Sequence, residues 1–150
     1  MRIREVCVRY LPSPVPLYDT KPYRNSKEIF DAFRDLIQEP VEVFKAVILD
    51  SKNRPLNIDP VSRGSLSTSV VHPREALWSA VYHHAAAVIF VHNHPSGDPA
   101  PSREDRECTK RLFEAGKLLG IKVLDHVIIG EQDYYSFADA GLLSEGGCNG

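Results

Sequence analysis

Polar and apolar residues alternate over 4–10 (REVCVRY), which predicts a strand. Four prolines (Pro12, Pro14, Pro16 and Pro22) follow within 11–25 and predict an extended surface segment, or alternatively a mobile linker. From Ser26, read as an N-cap, the apolar period becomes helical: Ile29, Phe30, Phe33, Leu36 and Ile37 share one face, and Pro40 stops the helix. The mostly apolar run 41–50 (VEVFKAVILD) predicts a central strand. A turn at 51–54 leads to a weaker strand carrying Leu56, Ile58 and Val61. After a small-residue loop at 64–69, Pro73 opens a helix with Leu77, Ala80 and Val81 on its apolar face. The run 85–91 predicts a buried strand, halted by Pro95. A long helix starts near Ser102 with Cys108, Leu112, Ala115 and Leu119 in phase. Residues 123–129 form another strand and 134–137 a short last one. The expected class is mixed α/β, a central sheet with helices against it. The expected organisation is an N-terminal extension over 1–40, a main domain over 41–143 and a disordered tail over 144–150.

Composition narrows the class without reaching a function. A chain of 150 residues, 43% hydrophobic and 25% charged, has the size and balance of one soluble domain. Its longest apolar run, 85–91, is far short of the ~20 residues that a membrane span needs, and no secretory leader opens it, so no membrane association is expected. A net charge of −2 with no basic block beyond Lys110-Arg111 argues against strong non-specific nucleic-acid binding. Three cysteines (Cys7, Cys108 and Cys148) without a CxxC spacing point to reduced thiols and a cytoplasmic location.

The chemistry concentrates in 91–105 (VHNHPSGDPAPSRED). His92 and His94 are two apart at a strand end, where i and i+2 point to the same face, so both imidazoles can reach one ion. Gly97, Pro99 and Pro101 bend the chain back, and Ser102 with Asp105 three residues on has the form of a capping box. Asp105 can supply a third ligand and leave the fourth tetrahedral position to water, the pattern of catalytic rather than structural zinc. Two histidines near a strand end are more often hydrogen-bonded surface residues than ligands, and Ser102 with Asp105 can be a cap and nothing more. The joint pattern HxHP, six residues, then SxxD, at a strand-to-helix junction, is far more specific than either half.

That pattern resembles the JAMM signature of the JAB/MPN metalloprotease superfamily, and VHNHPSGDPAPSREDRECTKRL is most similar to its RadC branch. SRGSL (62–66), HPREAL (72–77), LDHVIIG (124–130) and SFADAGLL (136–143) carry the same resemblance, which covers roughly 41–143. It implies a JAB fold, a sheet flanked by helices and akin to the cytidine-deaminase-like architecture. It further implies that His92, His94 and Asp105 bind one Zn2+, and that Ser102 supports the oxyanion or the water. The upstream acidic residue of the family sits early in a strand, where this chain has Glu42. A carboxylate there would take the proton of the attacking water and return it to the leaving amine. Placed among Val41, Val43 and Phe44 it is costly to desolvate without a purpose, which favours that role over a merely solvated strand-end residue. Glu75 is the competing base, in a helix's first turn where the dipole alone favours a carboxylate. His126 is either a partner of the ligands or a core histidine; His83 and His84 compensate a helix dipole or lie exposed, and Cys108 belongs to the core. Typical RadC proteins carry a helix-hairpin-helix region that 1–40 is too short to hold, so its contribution to DNA binding is not expected here.

The leading function is therefore a zinc-dependent peptidase or isopeptidase acting on a peptide or protein. Zinc deamination would need an HxE with a downstream PCxxC, which the chain lacks. A RadC-type DNA-repair or DNA-binding module rests on resemblance alone. An inert scaffold is disfavoured by the complete ligand set.

Overall fold

The computed structural model describes residues 21–64 and 71–144. The expected strand at 4–10, most of the proline-rich segment, most of the 64–69 loop and the tail from 145 lie outside the described residues, as do Cys7 and Cys148.

Val43–Leu49 (β1) is buried at every position except the half-exposed Lys45, because helices cover both faces of the sheet there. The turn after it is closed by Asp50, whose Oδ1 accepts from the amides of Lys52 and Arg54, with Asn53 left-handed at φ 59°. The chain returns as Pro55–Arg63 (β2), antiparallel to β1 and at the sheet edge. On its other side β1 pairs antiparallel with Ala87–Asn93 (β3), which is buried throughout. β3 runs parallel to Lys122–Ile129 (β4), and Tyr134–Ser136 (β5) closes the order β2-β1-β3-β4-β5.

Parallel neighbours require a crossover, here the helix Arg103–Leu119 (α3 in chain order). It ends on Gly120, left-handed at φ 72°, whose amide reaches back to the carbonyls of Gly116 and Lys117. A Cβ at Gly116 would stand 2.7 Å from the Ile121 carbonyl oxygen and 2.8 Å from Val123, so any larger residue there would push α3 off β4. Pro73–Tyr82 (α2) packs beside α3 on the same face, over Phe44, Ala46, Ile48, Val88 and Phe90. Ser26–Phe33 (α1) and the 3-10 segment Arg34–Gln38 cover the opposite face, over Val47, Leu49, Ile89, Val91 and Val127. The sheet is thus sandwiched between helices, as expected from the mixed α/β pattern. Among the described residues no helix is long and apolar enough to cross a membrane.

Several local expectations change. Asn25, not Ser26, caps α1: its Oδ1 accepts from Glu28 N at 2.9 Å. Ser26 is instead buried in the first turn, where its hydroxyl donates to Asp139 and lies 3.2 Å from the Tyr134 hydroxyl. The helix tightens to 3-10 at Arg34, which keeps Leu36 above Phe33 and on the sheet. The third strand runs 87–93 rather than 85–91, and so takes in both His92 and Asn93. Val81 and Leu119, predicted on apolar helix faces, are each 51% exposed. Ala80 and Gly116 hold those contacts instead, because the helices approach the sheet closely through small residues.

Candidate metal centre

The site forms where β3 ends beneath the first turn of α3. Residues 88, 90 and 92 alternate onto the face covered by α2 and α3, so His92 extends the row of Val88 and Phe90 at the sheet's end. It has no solvent exposure. His94 lies just past the strand, with its Nδ1 donating to the Asp98 carbonyl at 2.8 Å across the bend. That bend is tight: Gly97 is left-handed at φ 87°, and a Cβ at Gly130 would meet the Gly97 carbonyl oxygen at 2.6 Å.

Asp105 arrives from α3, held by the capping box. Ser102 Oγ accepts from Asp105 N at 3.0 Å, and Asp105 Oδ2 accepts from Ser102 N at 2.8 Å. The same Oδ2 is 3.1 Å from His94 Nε2, while Oδ1 is 3.3 Å from His92 Nε2. The two Nε2 atoms are 3.1 Å apart. These three residues form a group whose donor atoms could hold a metal ion. Ligands at zinc's usual bond length of about 2.0–2.1 Å occupy tetrahedron corners about 3.3 Å apart, close to the 3.1 Å between the two nitrogens and to the 3.1–3.3 Å from each nitrogen to its nearer carboxylate oxygen. Burial opposes ionisation of Asp105, but the two imidazoles that face it, His92 first, outweigh burial and hold the carboxyl well below the usual carboxylate range. Burial likewise opposes the charged form of His94, yet Asp105 and the Asp98 carbonyl raise its pKa overall.

The other predicted residues divide by location. Phe44 pairs directly with His92 at the end of the β1–β3 ladder, and Glu42 lies two residues before it, just outside β1 rather than within the strand as expected. The charge of Glu42 acts on His94. Glu75 lies exposed in the first turn of α2, 3.7 Å from Arg74. Ser102 is exposed beside Asp105 as its cap. Cys108 is a free, half-buried thiol packed against the core, pushed up to about 11 by burial and by the Asp105 charge. His83 Nδ1 donates to the Ser79 carbonyl at 2.7 Å near the end of α2, and His84 is exposed and left-handed at φ 51°.

His126, ambiguous in the sequence, lies against the site. Its Nε2 is 2.8 Å from His92 Nδ1 and its Nδ1 is 2.6 Å from Thr109 Oγ1. Phe137 stacks on the ring at 5.1 Å and Phe44 meets it edge-on at 5.3 Å. Burial first, and then the neighbouring His92, hold its pKa well below the ordinary value.

Two contributors escaped sequence reasoning. Thr109 follows Asp105 by one helical turn, a spacing that shares a face, but nothing in the sequence marks that face as the one over His126. Asn93, between the two histidines, points to the opposite side. Its Oδ1 accepts from Val43 N at 2.7 Å and its Nδ2 donates to the Val41 carbonyl at 3.1 Å, which continues the β1–β3 pairing up to Glu42. Asn93→Ala should cost about 1–3 kcal/mol, since it strands the buried Val43 amide. The urea midpoint of the purified variant measures this.

A sheet between helix layers, with two strand-end histidines and a helix-capping aspartate at its head, defines a JAB-type domain. Residues 23–142 match the RadC-like JAB domain, and the chain belongs to that family. It is similar to a UPF0758 protein of Trichlorobacter lovleyi, 56% identical over 122 residues that cover 81% of this chain and 53% of the relative. It is also similar to a UPF0758 protein of Geobacter sulfurreducens, 51% identical over 138 residues, 92% of this chain and 56% of the relative. The chain therefore spans about half the length of these curated relatives.

Proposed function

We propose that the chain is a zinc-dependent metallopeptidase or isopeptidase that hydrolyses an amide bond in a peptide or protein, with one zinc held by His92, His94 and Asp105. The observation that carries this reading is the convergence of two imidazole nitrogens, 3.1 Å apart, on one carboxylate whose two oxygens lie 3.1 and 3.3 Å from them at the end of a buried strand. A zinc ion in that place would bring the pKa of a water towards 7 and polarise a scissile carbonyl.

The chain's own groups supply the rest. Glu42, whose charge acts on His94, takes the proton of the attacking water and delivers it to the leaving amine. Ser102 Oγ already accepts from Asp105 N, so its own hydrogen is available to the carbonyl oxygen as charge develops there. Phe44, stacked on His92 at 5.7 Å between ring centres, walls the inner side of the site against water. Among the described residues β2 is an edge strand, and its backbone groups would serve an extended substrate.

The alternative is a DNA-repair or DNA-binding module without peptidase activity. A net charge of −2 predicts weak duplex binding with a shallow salt slope, because non-specific affinity comes from clustered cations that release counterions. A paired titration at physiological salt separates the two readings. Labelled duplex and single-stranded DNA form one arm, and a panel of peptide and isopeptide conjugates the other. The expected result is conjugate cleavage that a chelator abolishes and zinc restores, with no metal-dependent nicking of DNA. Submicromolar duplex binding with a steep salt dependence would overturn peptidase activity as the primary function.

A further inference from the structure

We propose that Thr109 and His126 are positioning residues that lock His92 in the tautomer with its proton on Nδ1, so that the Nε2 lone pair faces His94 and Asp105. The proposal rests on the reading of that triad as a metal site.

One line of hydrogen bonds runs from a group that can only accept to the ring of His92. Thr109 Oγ1 lies 2.7 Å from the carbonyl oxygen of Asp105, one helical turn back. A carbonyl has no proton to give, so the single hydroxyl hydrogen of Thr109 is committed to it. Towards His126 Nδ1, at 2.6 Å, the threonine oxygen therefore has only a lone pair to offer, and Nδ1 must carry the proton. The His126 ring is fully buried among Phe44, Phe90 and Phe137, surroundings that hold a neutral imidazole with one proton, already placed on Nδ1. Its Nε2 then accepts, and the partner at 2.8 Å, His92 Nδ1, must donate. With its proton on Nδ1, the neutral ring of His92 presents a bare Nε2 to the site.

His94 reaches the same state by a shorter route, since its Nδ1 donates directly to the Asp98 carbonyl. His92 is fully buried, and among the described residues its Nδ1 meets the His126 ring rather than a loop carbonyl, so two side chains bridge the distance. The bridge ends on the backbone of Asp105, the residue whose carboxylate faces His92 Nε2 from the other side. One residue of α3 thus supplies both a donor atom and the terminus that orients its neighbour. Such partners behind a histidine ligand typically change metal affinity by about 10–100-fold.

Removing the hydroxyl frees His126 to move its proton to Nε2, which turns His92 Nδ1 into an acceptor and puts a proton on the Nε2 that faces the site. Thr109→Val removes the hydroxyl at nearly constant shape, and Thr109→Ser keeps it. The experiment is nitrogen-15 NMR of the imidazoles in the metal-free protein, above pH 8, paired with zinc affinity measured by competition against a chromogenic chelator. In the unmodified protein the expected signals are a protonated Nδ1 and a bare Nε2 for both His92 and His126. Thr109→Val should reverse both and weaken zinc about 10–100-fold, while Thr109→Ser restores the signals and the affinity. A protonated Nε2 on His92 in the unmodified protein would overturn the relay, whatever the variants do. So would zinc affinity that is the same in all three proteins. If the expected tautomers appear and the protein binds no zinc, the relay stands and the metal reading fails.

Discussion

The purified chain should carry one zinc, and His92→Ala, His94→Ala and Asp105→Ala should each lose it in elemental analysis. Three residues that each turn a donor atom to one point bind as a unit, and deletion of one leaves two, below the three protein ligands of catalytic zinc sites. The fold should outlast the ion. Two apolar layers on either side of the sheet hold it together, unlike a zinc finger whose core is the metal. Asp105→Ala carries a second cost, because its carboxylate also accepts from Ser102 N in the capping box, and about 1 kcal/mol of helix stability should go with it. Asp105→Asn keeps an acceptor oxygen for the cap and separates the two effects: it should weaken zinc binding and leave the melting temperature closer to that of the unmodified protein. Stoichiometric zinc in all three alanine variants would move the site elsewhere.

Glu42→Gln should retain zinc and lose hydrolysis. The amide preserves the shape of the side chain but cannot take a proton, and loss of a general base typically lowers the rate by about 10²–10⁴. Glu75→Gln should change the rate little, because that side chain is exposed in the first turn of α2 beside Arg74, where a carboxylate favours the helix dipole on its own account. The measurement is kcat on a cleavable conjugate for both variants, with zinc content determined on the same samples. The opposite ranking would transfer the base to Glu75, and would mean that the β1–β3 register does not deliver the catalytic carboxylate.

The Glu42 and Glu75 pair shows where sequence reasoning stopped. Both are glutamates near the start of an element, and the sequence offers only weak grounds to choose between them. Pairing favours Glu42: Phe44 opposes His92, which brings the start of β1 to the end of β3 although the two lie far apart in the chain, and the charge of Glu42 acts on His94. Asn93 strengthens the same register through its side chain, yet in the sequence it is merely the residue between two histidines. At α1 even the local reading failed. Asn25 and Ser26 are both competent caps, and Ser26 was drawn inward by Asp139 and Tyr134, partners more than a hundred residues away.

What this sequence determined by itself is whatever depends on short spacings. Strand alternation puts His92 and His94 on one side, and the S-x-x-D spacing of Ser102 and Asp105 builds a helix cap with its carboxylate at the head of α3. Apolar runs announced the central strands, since burial on both faces demands them. Tertiary structure alone decided which groups stand behind and across from those residues. The parallel pairing of β3 with β4 put His126 against His92, and the seating of α3 on the sheet put Thr109 over His126. Strand register and helix seating arise from the packing of two core layers at once, so no window of the sequence contains them.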